Sequence, residues 1–189
     1  MLGRLLLGID PGLAATGFAL LREPDQIVTC GTIRTTPNLR PGARLLQIQR
    51  ELEAVLDGAQ VEEAALEELF MGNNRTSVIG VAQARGVVLA LLESRGIASH
   101  EYKPAQVKLV VSGYGNADKA QMARMLTAQL RHLPAGSDHA HDAIAIAICH
   151  ARSRRVTEAR GVSRIPQRAG APYPSPLPEP PPRHLAGRR

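Results

Sequence analysis

The chain opens on short apolar runs broken by turn residues. Leu5-Leu6-Leu7-Gly8-Ile9 ends in Asp10 and breaks at Pro11-Gly12, which predicts a buried strand over residues 4–9. Thr16–Leu21 and Ile27–Ile33 predict a second and a third strand. Three sequential strands joined by short turns make an antiparallel meander. The period then lengthens. Leu45, Ile48, Leu52, Val55 and Leu56 fall at helical spacing within 41–56, and Gly58 follows as a stop. A long helix is predicted over 76–93, with Val78, Val81, Ala82, Val88, Leu89 and Leu92 on one broad apolar face. Gly86 inside it costs about 1 kcal/mol relative to Ala, which marks a place where close packing is expected. Ile97–Tyr102 predicts a strand halted before Pro104, and 104–111 and 118–131 predict helices around the break Gly113-Tyr114-Gly115. A last helix spans roughly 138–152, with Ser137 or Asp138 as its N-cap.

One stretch divides the rules. Val61–Phe70 contains Glu-Glu-Ala-Ala-Leu-Glu-Glu-Leu, helical by propensity. Its place between two helices fits a short strand in an α/β alternation, and the pattern alone leaves both readings open. Beyond about residue 156 the periodicity collapses. Eight of the 14 prolines lie in 166–182, so 156–189 is expected to be a disordered or polyproline-like tail behind a folded domain of 1–155.

Composition adds limits. Hydrophobic residues make up 44% of the 189, enough for one sizeable core, while Trp is absent and there are two Phe and three Tyr. Such a core is aliphatic, and base stacking cannot dominate any nucleic-acid binding. The net charge of +6 misleads, because residues 151–189 carry +7 and residues 1–150 carry −1. The basic character belongs to the tail and does not make the folded part a nucleic-acid binder. Cys30 and Cys149 match no metal-ligand spacing and read as reduced thiols of a cytoplasmic protein. No separate leader and no membrane span are expected, since no run of 18 apolar residues occurs.

The chemistry lies in four places. Asp10 ends the first strand, Glu67 sits between apolar Leu66 and Leu69, and His139 and Asp142 are three apart at the start of the last helix, on one face. Asp138 lies one step before His139 and four before Asp142. A strand end, a second strand and a helix start can gather carboxylates around hard divalent cations, and two such ions can clamp the attacking and leaving oxygens of a phosphodiester. Each position alone has a plain reading: a turn aspartate, a solvated glutamate, a surface histidine.

In order along 5–150, the motifs Leu-Gly-Ile-Asp-Pro-Gly-Leu-Ala-Ala-Thr-Gly-Phe, Ala-Leu-Glu-Glu-Leu-Phe-Met-Gly-Asn-Asn, Ala-Gln-Ala-Arg-Gly-Val, Gln-Val-Lys, Asp-Lys and Asp-Ala-Ile-Ala-Ile-Ala resemble the RuvC family of bacterial Holliday-junction resolvases. The resemblance implies an α/β, ribonuclease-H-like fold: a five-stranded mixed sheet, its first three strands antiparallel, flanked by helices. That makes 63–67 a strand. It also implies that Asp10, Glu67, His139 and Asp142 are the catalytic and metal-binding set. Phe70 matches an aromatic residue that contacts the junction, and Lys108 and Lys119 match basic residues near the scissile phosphate. The family position three before Asp142 is Asp in many members and His in some; here it is His139. Imidazole suits transition metals better than Mg²⁺. Three readings stay open: His139 ligates Mn²⁺, it positions or deprotonates water, or it leaves metal binding to Asp138.

The implied activity is metal-dependent nicking of four-way DNA junctions, with Mg²⁺ or Mn²⁺, two ions per site, leaving 5′-phosphate and 3′-hydroxyl ends. Paired nicks imply a homodimer, for which the 76–93 helix is the candidate surface, and the resemblance adds a branch-migration motor as partner. Two rivals compete. Gly8-Ile-Asp-Pro-Gly…Thr16-Gly17 also resembles the first phosphate loop of actin-like ATPases and sugar kinases, but that class needs a second domain. A junction-binding module with a metal site spoiled by His139 is the other.

Overall fold

A computed structural model describes residues 3–69, 75–130 and 132–159, with the backbone alone for 75–77. Five strands and five helices follow in the order β1 (Leu5–Asp10), β2 (Ala15–Arg22), β3 (Gln26–Arg34), α1 (Pro41–Leu56), β4 (Glu63–Glu67), α2 (Arg75–Ser94), β5 (Ala98–Tyr102), α3 (Pro104–Ser112), α4 (Lys119–Gln129) and α5 (Asp138–Ala159). They form one mixed sheet of order β3-β2-β1-β4-β5. The first three strands make the antiparallel meander, and β4 runs parallel to both β1 and β5.

The disputed stretch is therefore a strand. Ala64, Ala65 and Leu66 are each fully buried, because β4 lies between β1 and β5 with helices on both faces. A central strand of this kind needs an unbroken apolar middle. Its glutamates fall at the two ends, Glu63 at the start and Glu67 at the finish. Helix propensity loses to burial on both sides.

Alternation along the strands divides the core. Leu6, Ala19, Leu21 and Ala65 face α3, α4 and α5, while Leu5, Leu7, Ile9, Leu20 and Leu66 face α1 and α2. The apolar residues of α2 are split in use. Ala84, Val88, Leu91 and Leu92 go into the core, whereas Ala82 and Gly86 are exposed and Ile79 is 61% exposed. The close packing expected at Gly86 is absent among the described residues: a Cβ there would meet nothing within 4 Å. That glycine lies on the outer face of the helix.

The last helix also departs from the sequence expectation. It runs to Ala159 rather than stopping near 152. Arg154, buried in its final turns, holds Glu23 at 2.5 Å and Glu158 at 2.6 Å. Those ion pairs sustain a helical end that has no apolar periodicity.

Candidate active site

Two glycines bring the site together. In β1, a Cβ on Gly8 would lie 2.1 Å from the carbonyl oxygen of Ala143. In β2, a Cβ on Gly17 would lie 1.9 Å from the carbonyl oxygen of His139. Neither position tolerates a side chain, so α5 lies flush on the sheet, with small Ala143 and Ala147 beneath it. Gly17 pairs in register with Asp10. The close approach at Gly17 thus sets the first turn of α5 beside the end of β1.

Polar contacts fix the same corner. Ser137 caps α5, accepting from the Ala140 N–H at 3.3 Å, and its hydroxyl is 2.5 Å from that of Thr32 on β3. Of the two predicted caps, Ser137 is the one used. Behind Asp10, the buried Thr16 hydroxyl donates to the Gly12 carbonyl at 2.7 Å and accepts from the Gly12 N–H at 3.3 Å. The Pro11-Gly12 turn is pinned, and the Asp10 carboxylate with it.

Of the four residues expected to share chemistry, three have donor atoms within 4.8 Å of one another: Asp10, His139 and Asp142. His139 Nδ1 lies 2.7 Å from Asp10 Oδ2. Glu67, at the end of β4, stands outside that tight group but within its field. Burial, then the charges of Asp10 and Asp142, push the Glu67 carboxyl up to about 7, against an opposing pull from Lys108. Burial and Asp10 raise the Asp142 carboxyl as well. Glu67, Asp142, Lys108 and Lys119 line one cleft of about 350 Å³ between α3, α4 and α5.

Three carboxylates converge, two of them resist ionisation, and a bound divalent ion would remove that penalty. The donor set, three carboxylates and one imidazole, fits a hard or borderline ion such as Mg²⁺ or Mn²⁺. Asp138 is turned to another use. It pairs with Lys119 at 2.5 Å on the exposed rim and is outside the group of three. Phe70 lies outside the described residues.

Sequence reasoning gave no role to Arg85, the arginine of the Gln-Ala-Arg-Gly stretch. It is buried in α2, donates to the Glu67 carbonyl at 2.8 Å and pairs with Glu101. It clamps the end of β4 that presents Glu67. The signal was a lone arginine among small apolar residues on a core-facing helix, a place where a cation must find partners.

Comparison with known proteins agrees with the geometry. The sequence model of the family described as crossover junction endodeoxyribonuclease RuvC matches residues 6–150. The crossover junction endodeoxyribonuclease RuvC of Roseiflexus sp. (strain RS-1) is 44% identical over 163 residues, covering 82% of this chain and 96% of its own length. That of Syntrophomonas wolfei is 45% identical over 157 residues, covering 80% and 91%. Among solved structures, T. thermophilus RuvC in complex with Holliday junction substrate superposes with a TM-score of 0.75 at 28% identity, covering 81% of this chain and 96% of that one.

Proposed function

The chain belongs to the RuvC family of crossover junction endodeoxyribonucleases, and from that premise we propose how its open cluster of carboxylates works. The protein is a metal-dependent endodeoxyribonuclease of ribonuclease-H-like fold that resolves Holliday junctions in DNA recombination and repair. One observation carries the site assignment: Asp10, His139 and Asp142 converge from a strand end and a helix start beside Glu67.

In this reading Asp10, Glu67, His139 and Asp142 would hold divalent cations, whose chemistry when bound would be to neutralise charge at the scissile phosphate and lower the pKa of water. Asp10, at the junction of both halves of the set, orients the cluster through its contact with His139. Glu67, whose carboxyl is pushed up to about 7 by burial and by Asp10 and Asp142, would lose its proton more readily with a cation beside it. Lys108 and Lys119 line the same cleft and contact phosphate, offsetting charge that grows on its oxygens. Water attacks phosphorus in line, the 3′ oxygen leaves with a proton, and the ends are 5′-phosphate and 3′-hydroxyl. The imidazole in the set favours Mn²⁺ over Mg²⁺. Phe70 is assigned to the junction crossover, where an aromatic wedge opens base pairs.

Two copies make the paired nicks, joined through the outer face of α2, where Ile79, Ala82 and Gly86 are exposed. A branch-migration motor is the partner that the family implies, and the cytoplasm the compartment. No helix among the described residues is long and apolar enough to cross a membrane. The nuclease domain is assigned to 1–155 and the basic tail to 156–189; residues 156–159, expected to belong to the disordered tail, are the end of α5, and 160–189 lie outside the described residues.

Cleavage of a synthetic four-way junction and of the matching linear duplex, each in Mg²⁺ and in Mn²⁺, tests the reading. The junction is cut on paired strands, the duplex is spared, and chelation stops the reaction. Asp10→Asn binds the junction without cutting it. Normal cutting by Asp10→Asn would overturn the site assignment.

A further inference from the structure

A second group of metal-ligand side chains lies at the other end of β4. Glu63 opens that strand, His100 sits on β5 opposite Ala65, and His150 lies inside α5 with no exposed surface. Glu63 Oε2 is 2.8 Å from His150 Nε2 and 3.2 Å from His100 Nε2. All three donor atoms fall within 4.8 Å of one another. The imidazoles stack with centroids 4.6 Å apart and planes 26° from parallel.

We propose that Glu63, His100 and His150 form a second cation site, built for a borderline transition metal of the Zn²⁺ class and separate from the DNA-cutting cluster. Two imidazole nitrogens and one carboxylate oxygen are the donors that Zn²⁺, Co²⁺ and Ni²⁺ take. Tetrahedral bonds of 2.0–2.2 Å put neighbouring donors about 3.3–3.5 Å apart, so the Glu63–His100 contact of 3.2 Å is already near that spacing, while the Glu63–His150 contact of 2.8 Å would open as a cation enters between them. The surroundings already aim the ligands. The Tyr102 hydroxyl is 2.8 Å from His150 Nδ1, which dedicates Nε2 to the group, and Arg4 Nη1 lies 3.7 Å from Glu63 Oε1, the oxygen that faces away from it. The side chains of Glu63 and His100 are 22% and 21% exposed, which gives a cation a way in and leaves room for water as a further ligand.

The site stands apart from the chemistry. Glu63 and Glu67 are four residues apart on one strand, or about 13 Å at the usual strand rise. A cation here would tie β4, β5 and α5 together at the end of the sheet that does no cutting. Its role is structural: it clamps the platform that presents Glu67. Without metal, Glu63, His100, His150 and Tyr102 form a hydrogen-bonded network, and the experiment must tell the two apart.

The full-length Asp10→Asn/Asp142→Asn double variant, whose cutting cluster is disabled, is titrated with Co²⁺ alone. Visible absorption reports four-coordinate cobalt, and thermal unfolding reports stabilisation. One chelator-resistant equivalent per chain is expected, with the bands of a nitrogen- and oxygen-ligated tetrahedral ion and a raised Tm. Adding His100→Phe, or separately Glu63→Gln, removes the equivalent, the bands and the rise in Tm, while metal-free thermal unfolding stays cooperative. Absence of a tight equivalent in the double variant would overturn the proposal, as would an equivalent that persists unchanged in a folded His100→Phe or Glu63→Gln protein. Should one of those two variants fail to fold, the other decides.

Discussion

β4 carries a glutamate at each end, and the two meet opposite fates. Glu67 ends the strand among carboxylates, with burial and two negative neighbours driving its proton affinity up. Glu63 begins the strand between two imidazoles, whose hydrogen bonds hold its carboxyl well below the usual range. One strand thus has a strained end and a satisfied end. The strained end opens on a cleft lined by Lys108 and Lys119; the satisfied end closes over a fully buried histidine. At the Glu67 end the carboxylates repel one another; at the Glu63 end the carboxylate already has two imidazoles as partners.

The sharpest contrast is in cleavage. Asp10→Asn should lower junction cutting by about 10³-fold or more, the scale set by losing a charge-stabilising group. Glu63→Gln, far from the cluster, should change it by no more than about twofold, as separated sites act independently. Single-turnover rates on one junction substrate compare the two directly. Equal losses would erase the distinction between the ends.

Stability separates them next. The folded pKa of Glu67, about 7, lies above its unfolded value of 4.5. Protons then favour the folded state, and stability falls as pH rises from about 4.5 to 7, by roughly 3 kcal/mol at most. In chelator, Glu67→Gln should be more stable than the parent by up to that amount at pH 8 and equal to it near pH 4. For Glu63 the sign reverses. Its folded pKa is lowered, so its contribution is present above 4.5 and is lost as pH falls through the folded value. Glu63→Gln should be less stable than the parent by about 2 kcal/mol at pH 7, the worth of hydrogen bonds to a charged acceptor, with the gap closing in acid. Denaturant midpoints across pH 3–8 give both curves; slopes of the same sign would contradict the contrast.

The two ends were not equally legible. The strained end could be read from sequence because its residues sit at pattern breaks: Asp10 after an apolar run, Asp142 three beyond His139 at a helix start. The element order was equally plain, and β4 was settled by resemblance where propensity pointed to a helix. What the pattern could not show was proximity. Glu63, His100 and His150 come from three elements spanning 88 positions, and nothing local marks them as partners. The same holds for Arg85, whose hold on the Glu67 carbonyl exists only once α2 packs against the sheet. Gly86 misled because a mid-helix glycine signals an absent side chain without saying which face lacks it.

The smallest effect concerns the imidazole that both clusters use. At the satisfied end, His150 is locked between Glu63 and Tyr102. At the strained end, His139 turns Nδ1 to Asp10 at 2.7 Å, on the side where the carboxylates gather. Oxygen ligands suit Mg²⁺, whereas nitrogen ligands favour later divalent ions. If His139 is a ligand, His139→Asp should raise the Mg²⁺ rate relative to the Mn²⁺ rate by about tenfold or more, since loss of a mere outer-shell partner already changes affinity or activity by about that much. Asp138→Asn serves as the companion variant. Its carboxylate is held by Lys119 on the rim, so the Mn²⁺/Mg²⁺ ratio should not move. A ratio that shifts with Asp138→Asn and stays fixed with His139→Asp would transfer the ligand role to Asp138. A ratio fixed in both, with the Mn²⁺ rate reduced only in His139→Asp, would make His139 the group that positions water.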